Sequence, residues 1–218
     1  MSMSDSVTES ESARQGEPLL LYIGSGWDVE PLAHATALDC RRFVFVDCIP
    51  NRFLYWKEGE AGYEISRSLD LIVVMIRYKL ALMDIPALTE DRSSEGRKTV
   101  VRLELKGGYE ITYYFDVKYP DDFADSDAAS PGLRSAFERA TILFMKGYPP
   151  QPFGALLGRC LNLIKIAATD DNIRSVKRDA GEDILDKFEV MTIEDLDLDA
   201  IGKCRDSFEV VQRCIHMF

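Results

Sequence analysis

The chain has 218 residues, 46% of them hydrophobic and 29% charged, with a formal net charge of -11; this is globular composition, with enough apolar residues for a sizeable core. The acidic balance argues against an electrostatically driven nucleic-acid binder, which needs clustered Lys and Arg. No apolar run reaches the roughly 20 residues of a membrane span, and the first 17 residues lack the basic-then-apolar order of a secretory signal.

Residues 1–17 are rich in Ser and Glu and read as a disordered acidic tail. Residues 18–218 read as one α/β domain. Pro18 to Ile23 is an unbroken apolar run that stops at Gly24-Ser25-Gly26, the pattern of a strand buried on both faces of a parallel sheet. Pro31 to Leu38 is a short helix candidate, with Glu30 and Pro31 suited to a first helical turn. Phe43 to Val46 is a second buried strand, closed by Asp47. Strand, glycine turn, short helix and strand within about 30 residues imply parallel pairing by a right-handed crossover.

Asn51 to Glu58 suits a helical turn. Tyr63 to Asp84 is the longest helix candidate, with Ile65, Leu69, Ile72, Val73, Ile76 and Leu80 on one face. Residues 85–98 look like a polar loop. Thr99 to Leu105 and Tyr109 to Val117 alternate apolar and polar around Gly107-Gly108, the signature of an antiparallel β-hairpin inserted in or appended to the mainly parallel sheet. Residues 119–133 form an acidic loop, and Leu133 to Arg139 a short helix. Thr141 to Met145 is a further strand, Phe153 to Arg159 a helix, Leu161 to Ala167 a strand or buried helix continuation, and Phe188 to Ile193 a late strand. Ile201, Cys204, Phe208, Val211 and Ile215 mark one face of a C-terminal helix that Asp197 or Asp199 would cap.

The acidity is uneven. Nine acids against Lys187 lie between Asp179 and Asp199, and with the tail they leave residues 18–178 close to neutral. The segment is interleaved with apolar residues, so it folds with a solvated acidic face or serves as a docking edge for a protein partner. The five cysteines, at 40, 48, 160, 204 and 214, include no C-x-x-C pair. Such a set reads as reduced thiols in a cytoplasmic, reducing compartment. With only His34 and His216 in the chain, no multi-histidine metal site is expected.

Chemistry concentrates at Ile23-Gly24-Ser25-Gly26-Trp27-Asp28. Glycines after a buried strand let a ligand approach the backbone closely, and the following helix offers free N–H groups. Asp47, 21 residues beyond Gly26, sits at the tip of the next strand, where a carboxylate can accept both hydroxyls of a ribose. The sixth position counted from Gly24 is Val29 rather than glycine, which disfavours the dinucleotide fingerprint. Trp27 is placed either to pack or to stack on a base.

Leu21 to Asp28, followed by Phe43 to Asp47, resembles the class I S-adenosylmethionine-dependent methyltransferase family, and the chain also looks like methyltransferase-like proteins of large DNA viruses. The resemblance implies a Rossmann-like, mainly parallel sheet flanked by helices. It implies cofactor contacts from Gly24, Ser25, Gly26 and Asp47, with Asp28 either at the methionine amino group or capping the helix. The sequence departs from the family in three places. Tyr22 stands where an acid is usual, Asp28 where a third glycine is usual, and the residue that addresses the adenine is not located. Met145-Lys146-Gly147-Tyr148-Pro149-Pro150 follows a strand at about the place of the family's acceptor motif, so Lys146 and Tyr148 are the candidates for an acceptor site. The acceptor itself is not specified. The competing reading is a non-catalytic structural or interaction protein on a degenerate methyltransferase fold.

Overall fold

A computed structural model describes residues 16–26, 28–47, 61–96, 98–117, 130–146 and 153–193. Expectations for the tail to residue 15, Trp27, Cys48, the turn at 51–58, most of the loop at 119–133, Tyr148 and the C-terminal helix lie outside these residues.

Eight strands form one mixed sheet: β1 Leu19–Ile23, β2 Arg42–Val46, β3 Ala87–Glu95, β4 Lys98–Leu105, β5 Tyr109–Phe115, β6 Ile142–Met145, β7 Lys165–Ala168 and β8 Glu189–Thr192. Their order across the sheet is β3-β4-β5-β2-β1-β6-β7-β8. Strands β5 to β8 through the centre are parallel neighbours, and β4 is antiparallel to both β3 and β5. Five α-helices accompany the sheet among the described residues: α1 Glu30–Ala33, α2 Ala61–Leu82, α3 Pro131–Arg139, α4 Phe153–Arg159 and α5 Asp170–Ala180.

The apolar runs behave as strands buried on both faces. In β1, Leu20 and Tyr22 join one core layer and Leu19, Leu21 and Ile23 the other; β2 and β6 divide likewise. Leu32, from α1, and Leu69, Ile72, Val73, Ile76 and Leu80, from α2, fill the first layer. Residues of α3, α4 and α5, among them Leu133, Phe137, Phe153, Leu156 and Val176, fill the second. Helices therefore lie on both faces. Side chains such as Phe45, Phe144 and Leu80, each fully buried, contribute about 1.5–3 kcal/mol apiece on removal from water.

One segment differs from its sequence expectation. Residues 85–98 contain strand β3, which pairs with β4 from Ala87↔Leu105 to Glu95↔Lys98. It is an edge strand with mostly exposed or half-buried side chains, so it carries no apolar alternation to read. Ion pairs to α2, Arg77 to Glu90 at 2.8 Å and Arg92 to Asp70, hold it. The hairpin at Gly107-Gly108 is present, with φ of 89° and 77° at the two glycines. Of the two placements expected for it, the hairpin is the inserted one, because β5 also pairs in parallel with β2 from Arg42↔Glu110 to Val46↔Tyr114. Helix α5 has a polar sequence, with Asn172 and Val176 among its few buried residues, and starts at Thr169, whose side chain accepts the Asn172 N–H.

The strand order turns back at β1. Chain up to β5 builds outward through β2, and chain from α3 onward adds beside β6. In open α/β sheets the connections diverge at such a point and leave a crevice at the carboxyl ends of the strands. The tips of β1, β2, β5 and β6 are thus brought together.

Candidate functional site at the carboxyl edge of the sheet

Gly24 and Gly26 follow β1 with φ of 75° and 54°, a left-handed region that costs an ordinary L-residue about 1 kcal/mol or more. The Gly24 N–H donates to the Val46 carbonyl at 2.8 Å, tying the turn to the end of β2. The Gly26 N–H donates to Asp47 Oδ2 at 2.6 Å. Glycine turn and strand-tip acid, paired in sequence only by spacing, are therefore in direct contact. Asp47 is 7% exposed, and its own N–H and carbonyl bond to Tyr114 and Val117 around the end of β5.

Asp28 is engaged on both oxygens. Oδ1 accepts the Glu30 N–H at 3.0 Å, which holds the first turn of α1. Oδ2 accepts the Tyr22 hydroxyl at 3.0 Å and faces Lys146 Nζ at 3.3 Å. Lys146, at the tip of β6, also binds Glu30 Oε2. One ammonium thus bridges the crevice between β6 and the loop leading from β1 into α1. Burial acts to lower the Lys146 pKa, but the Asp28 and Glu30 carboxylates outweigh it and raise the value. Burial likewise acts to raise that of Glu30, and His34 and Lys146 together bring it below the ordinary range. Both groups therefore stay charged at neutral pH.

Around this pair lie buried polar atoms without a hydrogen-bond partner in the described structure: Ser25 Oγ, both ring nitrogens of His34, and the Tyr113 hydroxyl. His34 Nε2 is 3.8 Å from Glu30 Oε1, an ion-pair separation too long for a hydrogen bond. The His34 ring stacks on Phe144. Burial, and then the carboxylates of Asp28 and Asp47, push the Tyr113 hydroxyl well above its usual value. Burial followed by Asp28 does the same to Tyr22. Leaving such a group unsatisfied costs about 1–3 kcal/mol, so the crevice is a polar site.

The structure brings Gly24, Ser25, Gly26, Asp28, Asp47 and Lys146 to one edge. Sequence reasoning missed Glu30, His34, Tyr113 and Asp116 as members. Asp116 follows β5 with a φ of 59°, an acid at a strand tip just as Asp47 is. That same signal would have found it had β5 been recognised as a parallel neighbour of β2. Among the described residues no group of three His, Cys, Asp or Glu could hold a metal ion, and no helix is long and apolar enough to cross a membrane. A cavity of about 230 Å³ at the opposite, amino edge is lined by Arg42, Arg139, Thr141 and Asn162. Arg42 there faces Glu110 at 3.7 Å. The sequence matches no model of a known protein family and no curated protein.

Proposed function

We propose that this chain binds S-adenosylmethionine at the carboxyl edge of the sheet and is methyltransferase-like. The observation that carries the reading is the hydrogen bond from the Gly26 N–H to Asp47 Oδ2 at the tips of adjacent parallel strands. It puts a carboxylate of the kind that accepts ribose hydroxyls beside a glycine backbone. The order β5-β2-β1-β6-β7-β8 supports a Rossmann-like fold extended at one edge by β3 and β4. An elongated ligand would lie with its amino-acid end toward β1 and β6, its ribose at Asp47 and its base toward Asp116 just after β5. The departure at Tyr22 has a local compensation. The Tyr22 hydroxyl donates to Asp28, so the residue in the acid's place orients a neighbouring carboxylate instead of supplying one.

Charge narrows the ligand. Asp28 and Glu30 share one ammonium, that of Lys146. Two carboxylates against one ammonium at the tip of β6 favour a cationic group such as a sulfonium over the pyrophosphate of a dinucleotide. Methyl transfer from a sulfonium is an in-line displacement that depends chiefly on positioning, and a base is needed only where the acceptor must lose a proton.

A second reading, a partner-binding protein on a degenerate methyltransferase fold, is favoured by the burial of Asp47 and the occupation of Asp28 by Tyr22 and Lys146. Its docking edge would be the acidic segment 179–199, where Asp183, Asp186 and Glu189 are exposed. Calorimetric titration with S-adenosylmethionine and S-adenosylhomocysteine separates the two. Saturable heat supports the cofactor reading, and none up to millimolar ligand rejects it in favour of the second.

A further inference from the structure

We propose that Asp28 and Glu30 form an ammonium-binding cradle that the protein's own Lys146 occupies in this structure, and that a ligand's ammonium group takes its place. The inference rests on the cofactor reading above and adds an internal competitor for the amino-acid end of the ligand.

The cradle is built from the chain immediately after the glycine turn. Asp28 Oδ2 lies 3.3 Å from Nζ, and Glu30 Oε2 is the second ligand. Glu30 is only 3% exposed at its side chain, whereas Lys146 is 37% exposed. The anion is therefore fixed and its cation is the outer, replaceable partner. Removing Lys146 without replacement would strand a buried carboxylate, which is strongly unfavourable. Exchange for another ammonium conserves the charge. Tyr22 donates to Asp28 and so orients it. The buried His34 ring, with no hydrogen-bond partner in the described structure, faces Glu30 from behind at 3.8 Å. Its nitrogens and the buried Tyr113 hydroxyl provide polar capacity that Lys146 does not use.

A ligand that must displace Lys146 sees its affinity multiplied by the fraction of time the cradle is open. Freeing the cradle should then tighten only ligands that carry the ammonium. The test compares S-adenosylmethionine with 5′-methylthioadenosine, which lacks the amino-acid end, by calorimetry on the full chain and on Lys146→Gln. The expected result is about tenfold tighter S-adenosylmethionine binding by the variant, as for a cradle open about a tenth of the time, with methylthioadenosine unchanged. A measurement on the unaltered protein guards against a variant that fails to fold. Amine acylation mapped by mass spectrometry should show Lys146 becoming more reactive with S-adenosylmethionine and unchanged with methylthioadenosine. If the protein binds S-adenosylmethionine while Lys146 is protected or unaffected, or if the folded variant gains nothing, the cradle proposal alone is overturned. If neither protein binds S-adenosylmethionine, the cofactor reading falls and the proposal falls with it.

Discussion

Replacing Asp47 with alanine removes the acceptor that lies 2.6 Å from the Gly26 N–H. The amide is on a turn whose only other described tie to β2 is through the Val46 carbonyl. A hydrogen bond to an ionised partner contributes about 1.5–3 kcal/mol, and Asp47 is 7% exposed, so water would replace it poorly. For a chain of this size each kcal/mol moves the melting temperature by about 2–4 °C, so Asp47→Ala should melt about 3–12 °C below the parent. Asp47→Asn keeps an oxygen for the Gly26 N–H and loses the charge, so roughly half of that stability should remain. Its binding should suffer more. Two ribose hydroxyls facing a neutral amide instead of a carboxylate would cost about one to two powers of ten in affinity for S-adenosylmethionine. Thermal melting and calorimetry on the two variants separate the effects. An Asp47→Ala variant that melts within about 1 °C of the parent would refute the structural tie. An Asp47→Asn variant with undiminished affinity would refute the ribose assignment.

Glu30 has its pKa lowered in the fold, so its contribution to stability is present above its unfolded value and lost as pH falls through the folded one. Lys146 is raised, so its contribution is complete below its unfolded value and lost as pH climbs through the folded one. Melting temperature against pH should therefore fall off at both ends, with the acid limb flattened in Glu30→Gln; an unchanged acid limb counts against the pair. A Cβ at Gly132 would meet Glu95 Oε1 and the Tyr114 hydroxyl at 2.5 Å, and Glu95 also accepts the Gly132 N–H. Gly132→Ala should push the Glu95 carboxylate, the far end of a flexible side chain, off the Gly132 N–H and lose about 1 kcal/mol with that hydrogen bond, and a melt equal to the parent's would contradict that contact. Burial pushes the Cys40 thiol up to about 11 and that of Cys160 up to about 12. Iodoacetamide at pH 8 should modify neither until denaturant is added, as peptide mapping would show.

The central strands were readable because burial on both faces leaves unbroken runs such as Leu19 to Ile23 and Phe43 to Val46, and the Gly107-Gly108 turn because its conformation demands glycine. The β3 strand was not, since an edge strand fastened by Arg77, Arg92 and their acids needs no apolar face. Helix α5 was hidden by its sequence DDNIRSVKRDA, in which capping by Thr169 and inward Val176 replace a broad apolar stripe. In the site, Gly24, Gly26 and Asp47 announced themselves by spacing. Glu30 and His34 looked like ordinary helix residues, and Tyr113 like one more alternating aromatic. Only the pairing of β5 with β2 and of β6 with β1 puts them around one crevice.

The crevice joins pieces far apart along the chain. Lys146 Nζ reaches Asp28 Oδ2 across 118 positions, whereas β3, β4 and β5 pair through tight turns. Closing a long loop carries an entropic cost that local hairpins avoid. The meander should gain amide protection early in refolding and the β1–β6 seam late, an order that pulse-labelled hydrogen exchange would read. The polar crevice is then the last part of the molecule to exist. A ligand held there would grip the most slowly assembled contact, and its main kinetic effect would be to slow the opening of that seam.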